Sequence, residues 1–135
     1  VSSFTQTQHA KILKINPESG ETSLVADYDF LGGFPSELVL DSDENAVALV
    51  YTPSEENSFD AKEMSIVRIE GAQPALIYSY PGFTLSGLGV DSQGHIYWGQ
   101  RTTDETSGVY RFNAESLSTQ GPWKTELPPM DFLFF

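Results

Sequence analysis

Leu88-Gly89-Val90-Asp91-Ser92-Gln93-Gly94-His95-Ile96-Tyr97-Trp98 reads as a strand, a tight turn and a returning strand. Apolar residues flank an Asp-Ser-x-Gly corner, where Gly94 can take the positive φ that a tight hairpin needs. The chain carries a related segment earlier, Leu38-Val39-Leu40-Asp41-Ser42-Asp43. A second set of segments interleaves with these: Ile12-Leu13-Lys14-Ile15-Asn16, Ile66-Val67-Arg68-Ile69-Glu70 and Val109-Tyr110-Arg111-Phe112-Asn113. Internal repeats decide architecture before any single residue does.

Helical spacing is hard to find between these segments. Short runs of β-branched and aromatic residues alternate with turn clusters such as Asn16-Pro17-Glu18-Ser19-Gly20, which predicts an all-β chain. With the strands of one repeat named A to D, the second repeat has A at Glu37–Asp41, B at Ala46–Thr52, C at Met64–Glu70 and D at Ala75–Tyr80. The third has A at Gly87–Asp91, B at His95–Gln100, C at Gly108–Asn113 and D at Gln120–Glu126. The first begins with residues 1–6 at the place of a B strand, followed by C at Lys11–Asn16 and D at Thr22–Ala26.

Pro129-Met130-Asp131-Phe132-Leu133-Phe134 matches Pro35-Ser36-Glu37-Leu38-Val39-Leu40 in spacing and reads as an A strand. The order is therefore BCD-ABCD-ABCD-A, a single domain of about three four-stranded antiparallel units. Its repeats cover residues 1–34 with 129–135, then 35–84, then 85–128. An antiparallel β-sandwich is the rival fold.

At 135 residues and net charge −12, the chain disfavours nucleic acid and anionic membranes, which bind through Lys and Arg. The acid is concentrated early: residues 1–70 hold 13 Asp/Glu against 4 Lys/Arg. Without Cys there is no disulfide, thiolate metal site or thiol nucleophile. The start at Val1, without Met or a signal-peptide pattern, reads as processing or excision. The compartment stays open, with a secreted or extracytoplasmic setting slightly favoured.

Individual candidates are weak. Asp41-Ser42-Asp43-Glu44-Asn45 opens like a Ca2+ loop, with Asp41, Asp43 and Asn45 as the ligands, but Ala46 and Thr52 stand where Gly and a bidentate Glu belong. An acidic hairpin turn accounts for it better. His95 has no close ligand partner in sequence, and Leu85-Ser86-Gly87 lacks the preceding Gly of a nucleophile elbow. Lys14, Arg68 and Arg111 recur at one position of strand C, which suggests a shared structural role.

Leu88 to Trp98 resembles the inner hairpin of the NHL, regucalcin/gluconolactonase-like and strictosidine-synthase-like β-propellers. Lys14-Ile15-Asn16-Pro17-Glu18-Ser19-Gly20-Glu21 and Tyr110-Arg111-Phe112-Asn113 resemble their outer hairpin. The resemblance implies blades, and about three blades cannot close a ring of four to eight. A homodimer, or the remainder of a longer parent propeller, would complete it. The regucalcin-like relatives also imply a divalent-cation-dependent lactonase or esterase, but Pro35-Ser36-Glu37 does not reproduce their acidic motif.

Catalytic residues and a cofactor are therefore not assigned. The reading is a binding or scaffold module for a protein, peptide or sugar. A hydrolase and a structural repeat segment of a larger secreted or surface protein are the alternatives. In propellers the D–A and B–C loops share one face, and here they hold Asp29, Phe30, Phe34, Asp60, Phe83 and Arg101. Exposed aromatics beside charge suit a ligand contact, and plugging gaps between blades is the rival role for Phe30, Phe34 and Phe83.

Overall fold

The computed structural model describes residues 10–28, 33–57, 60–70, 73–127 and 129–135. All regular structure among them is β-strand. A two-stranded antiparallel sheet joins β1 (Ala10–Ile15) to β2 (Thr22–Tyr28). A four-stranded antiparallel sheet follows in chain order, with β3 (Phe34–Leu40), β4 (Ala46–Pro53), β5 (Ala61–Glu70) and β6 (Gln73–Pro81). A second four-stranded sheet repeats that order with β7 (Leu85–Val90), β8 (Ile96–Gln100), β9 (Gly108–Asn113) and β10 (Ser118–Trp123). The all-β expectation and the four-stranded antiparallel units stand as read.

Turn chemistry makes the two large sheets alike. The Asp41 carboxylate accepts from the Asp43 and Asn45 amides at 2.9 and 2.8 Å. Asp91 accepts from the Gln93 and His95 amides at 2.9 and 3.0 Å. Short Asp side chains hold such corners by bonding to the backbone just ahead of them. The corner needs a residue at positive φ, supplied by Glu44 (φ 62°) in one sheet and Gly94 (φ 80°) in the other. Asn16 and Asn113 do the same work at the outer hairpins, accepting from the amides of Glu18 and Ser19 and of Glu115 and Ser116.

Period two then decides which sheet packs on which face. Ala46, Ala48 and Val50 of β4 join Val67 and Ile69 of β5 and bury Ile12 of β1. Val47 and Leu49, pointing the other way, join Met64 and Ile66 in a cluster with Leu85, Leu88, Ile96, Trp98 and Tyr110 of the following sheet. The β3–β6 sheet is thus covered on both faces, which explains the unbroken apolar run of β4. Trp98, wholly buried, lies parallel to Tyr110 at 5.8 Å and tilts against Tyr78 of β6 at 4.9 Å.

Residues 129–135 lie in extended but unladdered chain rather than in the expected strand. They run across the outer face of the β7–β10 sheet, the side away from Trp98. The Ser86 hydroxyl donates to the Pro129 carbonyl at 3.1 Å, and the rings of Phe132 and Phe134 stand 6.1 and 5.1 Å from Tyr97. Gly89 permits this approach, since a Cβ there would meet Phe132 Cβ at 2.6 Å. No ladder forms because no described strand flanks the segment. Residues 1–6, the expected B strand, lie outside the described residues, and β10 ends at Trp123 rather than at Glu126.

Candidate functional site

The edge strands β3 and β7 stand side by side, and where the β6–β7 loop turns between them a groove of about 300 Å³ opens. Its walls are mainly apolar: Phe34 and Tyr51 on one side, Leu85 and Met130 on the other, with Phe83 at the mouth. The Phe83 ring is 72% exposed and meets Tyr51 edge-on at 6.0 Å. Such a ring is held in place yet open to solvent. A smaller recess continues past Phe83 and Thr84 to Arg101.

The loop bearing Phe83 is pinned at both ends. The Gly82 amide donates to the Lys62 carbonyl at 3.1 Å, and the Arg101 amide donates to the Thr84 carbonyl at 2.7 Å. Gly82 at φ 77° makes the reversal that a side chain would strain. The aromatic therefore sits on a fixed hairpin between two sheets, the kind of rigid support a binding residue needs.

Glu37 supplies the acid in this groove. Burial raises its pKa above the ordinary value and the neighbouring Asp131 carboxylate adds to the rise, while hydrogen bonds from the Gly87 and Leu88 amides hold it down. Glu37 and Asp131 hold the same position in the sequence match between β3 and the C-terminal segment. Their proximity brings the C-terminal segment to the seam between β3 and β7.

The expected loop-face residues divide. Phe34, Phe83 and Arg101 come together at the groove and its recess, although Phe34 is the first residue of β3 rather than a loop residue. Asp60 does not line the groove. It accepts from Asn57 Nδ2 at 2.9 Å and closes the β4–β5 loop, where its carbonyl takes the Ser54 amide at 2.7 Å. Asp29 and Phe30 lie outside the described residues. Tyr51, Met130 and Glu37 were not anticipated. Met130 was legible in principle, because its segment matches β3.

At the weak Ca2+ candidate, the Asp41 oxygens face the Asp43 and Asn45 amides, Asn45 Nδ2 at 3.3 Å and the Arg68 guanidinium at 3.1 Å. These partners are donors, whereas a cation would need turned-out oxygens. Asp43 and Asn45 themselves serve the turn. Among the described residues no group of three or more His, Asp or Glu side chains is placed to hold a metal. His95 is buried, and its Nδ1 accepts the Ala114 amide at 3.1 Å, tying the inner and outer hairpins of one sheet together.

Arg68 and Arg111 have structural partners. Arg68 pairs with Asp41 and with Glu70 at 3.1 Å. Arg111 donates to Gln120 Oε1 and covers the Trp123 ring at 5.7 Å. In the third sheet the Tyr97 hydroxyl, at 3.0 Å, takes the place that Arg68 holds at the second Asp oxygen. Burial opposes ionisation of Asp91, but the His95 and Gln93 amides and the Tyr97 hydroxyl outweigh it, so its pKa lies below the ordinary value.

Comparison with protein-family models, with curated proteins and with solved structures finds no match to this chain.

Proposed function

We propose that the four-stranded sheets are propeller-type blades, as in the NHL and regucalcin-like proteins the sequence resembles, and that the chain is a non-catalytic binding module. Its ligand is a short peptide with an apolar anchor, taken into the groove between β3 and β7. The observation that carries this reading is Phe83, exposed yet braced against Tyr51 above an apolar groove. Aromatic residues at the centre of a small apolar site commonly dominate binding energy. Arg101 at the end of the recess suits a carboxylate on the same ligand.

A displayed library of short random peptides tests this directly. Selection on the protein should enrich peptides pairing an aromatic or aliphatic anchor with an acidic residue. Phe83→Ala should weaken the selected peptides by at least about tenfold, roughly 1.4 kcal/mol. Arg101→Glu should weaken the acidic ones selectively. Failure to select any peptide, or binding indifferent to both substitutions, would contradict the proposal.

A further inference from the structure

The groove between β3 and β7 carries opposite charges at its two ends, and strand β7 sets their spacing. The Glu37 carboxylate accepts the Gly87 and Leu88 amides, inside β7, whereas the Arg101 amide donates to the Thr84 carbonyl just ahead of that strand. Three to four residues of extended chain part the two levels, roughly 10–13 Å at about 3.3 Å per residue. The charges also start from opposite sides of β7, because Glu37 belongs to β3 and Arg101 directly follows β8. Phe83 borders both the groove with Glu37 and the recess with Arg101, so its ring stands between them.

We infer that the groove takes a dipolar peptide, with a basic side chain at the Glu37 end, an apolar anchor at Phe83 and a carboxylate at the Arg101 end. The inference rests on the peptide-groove reading and adds the sign and spacing of the charges its ligand carries.

Glu37 suits a cation on three counts. A carboxylate offers about four acceptor positions, and the two amides fill two of them. Glu37 is half-buried, where a charge pair is screened less than at the surface. Asp131 sets a second negative charge beside it, a repulsion that a ligand ammonium or guanidinium relieves. The other elements around Glu37 bring backbone amides from β7, the apolar Leu49 from β4 and Lys11 from β1, across a separate cleft. With Lys11 in place the Glu37 pKa still lies above the ordinary value, through burial first and Asp131 after it. At the other end Arg101 is exposed, and its planar fork matches a carboxylate at two points. Two acids on one ligand would meet Glu37 and Asp131, and two bases would meet Arg101, so like charges are rejected.

A set of end-blocked pentapeptides tests this: phenylalanine at the centre, glycine on each side, and lysine, glutamine or aspartate at each end. Their retention is measured on the immobilised full chain. The peptide with one lysine and one aspartate should be held at least about threefold more tightly than those with two lysines, two aspartates or two glutamines. Glu37→Gln keeps an acceptor for the β7 amides and should cut the preference for lysine while leaving that for aspartate. Arg101→Gln, at an exposed position, should do the reverse. The series on the unaltered chain decides the matter by itself if either variant fails to fold. Tightest retention of a doubly acidic, doubly basic or uncharged peptide overturns the dipolar ligand, as does a lysine preference unchanged in Glu37→Gln. Retention that needs Phe83 but ignores the end charges overturns it and leaves the groove standing, whereas retention of no peptide removes both.

Discussion

Asp41 and Asp91 occupy the same corner of two sheets but differ in their second partner. Both carboxylates accept two backbone amides. Asp41 also meets the Arg68 guanidinium, whose Nε is buried and makes no aligned hydrogen bond, whereas Asp91 takes the neutral Tyr97 hydroxyl. Removing one partner of a buried charge pair costs more than removing an acceptor from neutral donors. Asp41→Ala should therefore destabilise by about 3–5 kcal/mol and Asp91→Ala by about 1–3 kcal/mol, as read from urea unfolding midpoints. Equal costs would mean that the Arg68 pair is unimportant. The acidic turn was legible as a turn from its Asp-Ser spacing. Its ion pair was not, because Arg68 lies on β5 and reaches Asp41 only once β4 and β5 have paired in register.

At the scale of elements, the interface between the second and third sheets is an aromatic layer with one polar thread. Tyr78 of β6 donates to Gln100 Oε1 at 2.7 Å, and Gln100, wholly buried, donates in turn to the Thr106 carbonyl at 3.1 Å. Burial first, then the neighbouring Tyr110 and Tyr80, push the Tyr78 pKa up from 10.0 to about 12. An unfolded chain loses this proton at the lower value, so the folded state holds it longer. The stability linked to Tyr78 is complete below pH 10 and falls as pH rises toward about 12. Tyr78→Phe should lower stability by about 1–3 kcal/mol at neutral pH, because Gln100 Oε1 loses its donor, and should flatten the alkaline decline. Unfolding free energies measured across that pH window check both effects. An unchanged alkaline slope would place the titration elsewhere.

The strands of this layer were readable from period two and β-branched content, and their bounds shifted by only a few residues. The groove was half readable. Repeat logic grouped Phe34, Phe83 and Arg101, and the structure brings these three to one groove and its recess. Glu37 and Tyr51 were missed because pattern alone does not tell which inner-strand side chain faces a neighbouring sheet.

Across the whole molecule, the described sheets follow one another face to face. Among the described residues a two-stranded sheet stands at one end and an unladdered chain, residues 129–135, at the other. The groove between β3 and β7 depends on this arrangement, since Met130 of the C-terminal segment forms part of its wall. The C-terminal match to β3 was visible in the sequence as spacing alone. Its contact with Tyr97 and Gly89 was not visible, because only the stacked sheets show which neighbour it meets. Titration of a selected peptide into the unaltered chain and into Phe83→Ala tests the groove, the centre of this account, most directly. The account predicts affinity at least about tenfold weaker for the variant, while equal affinities would contradict it.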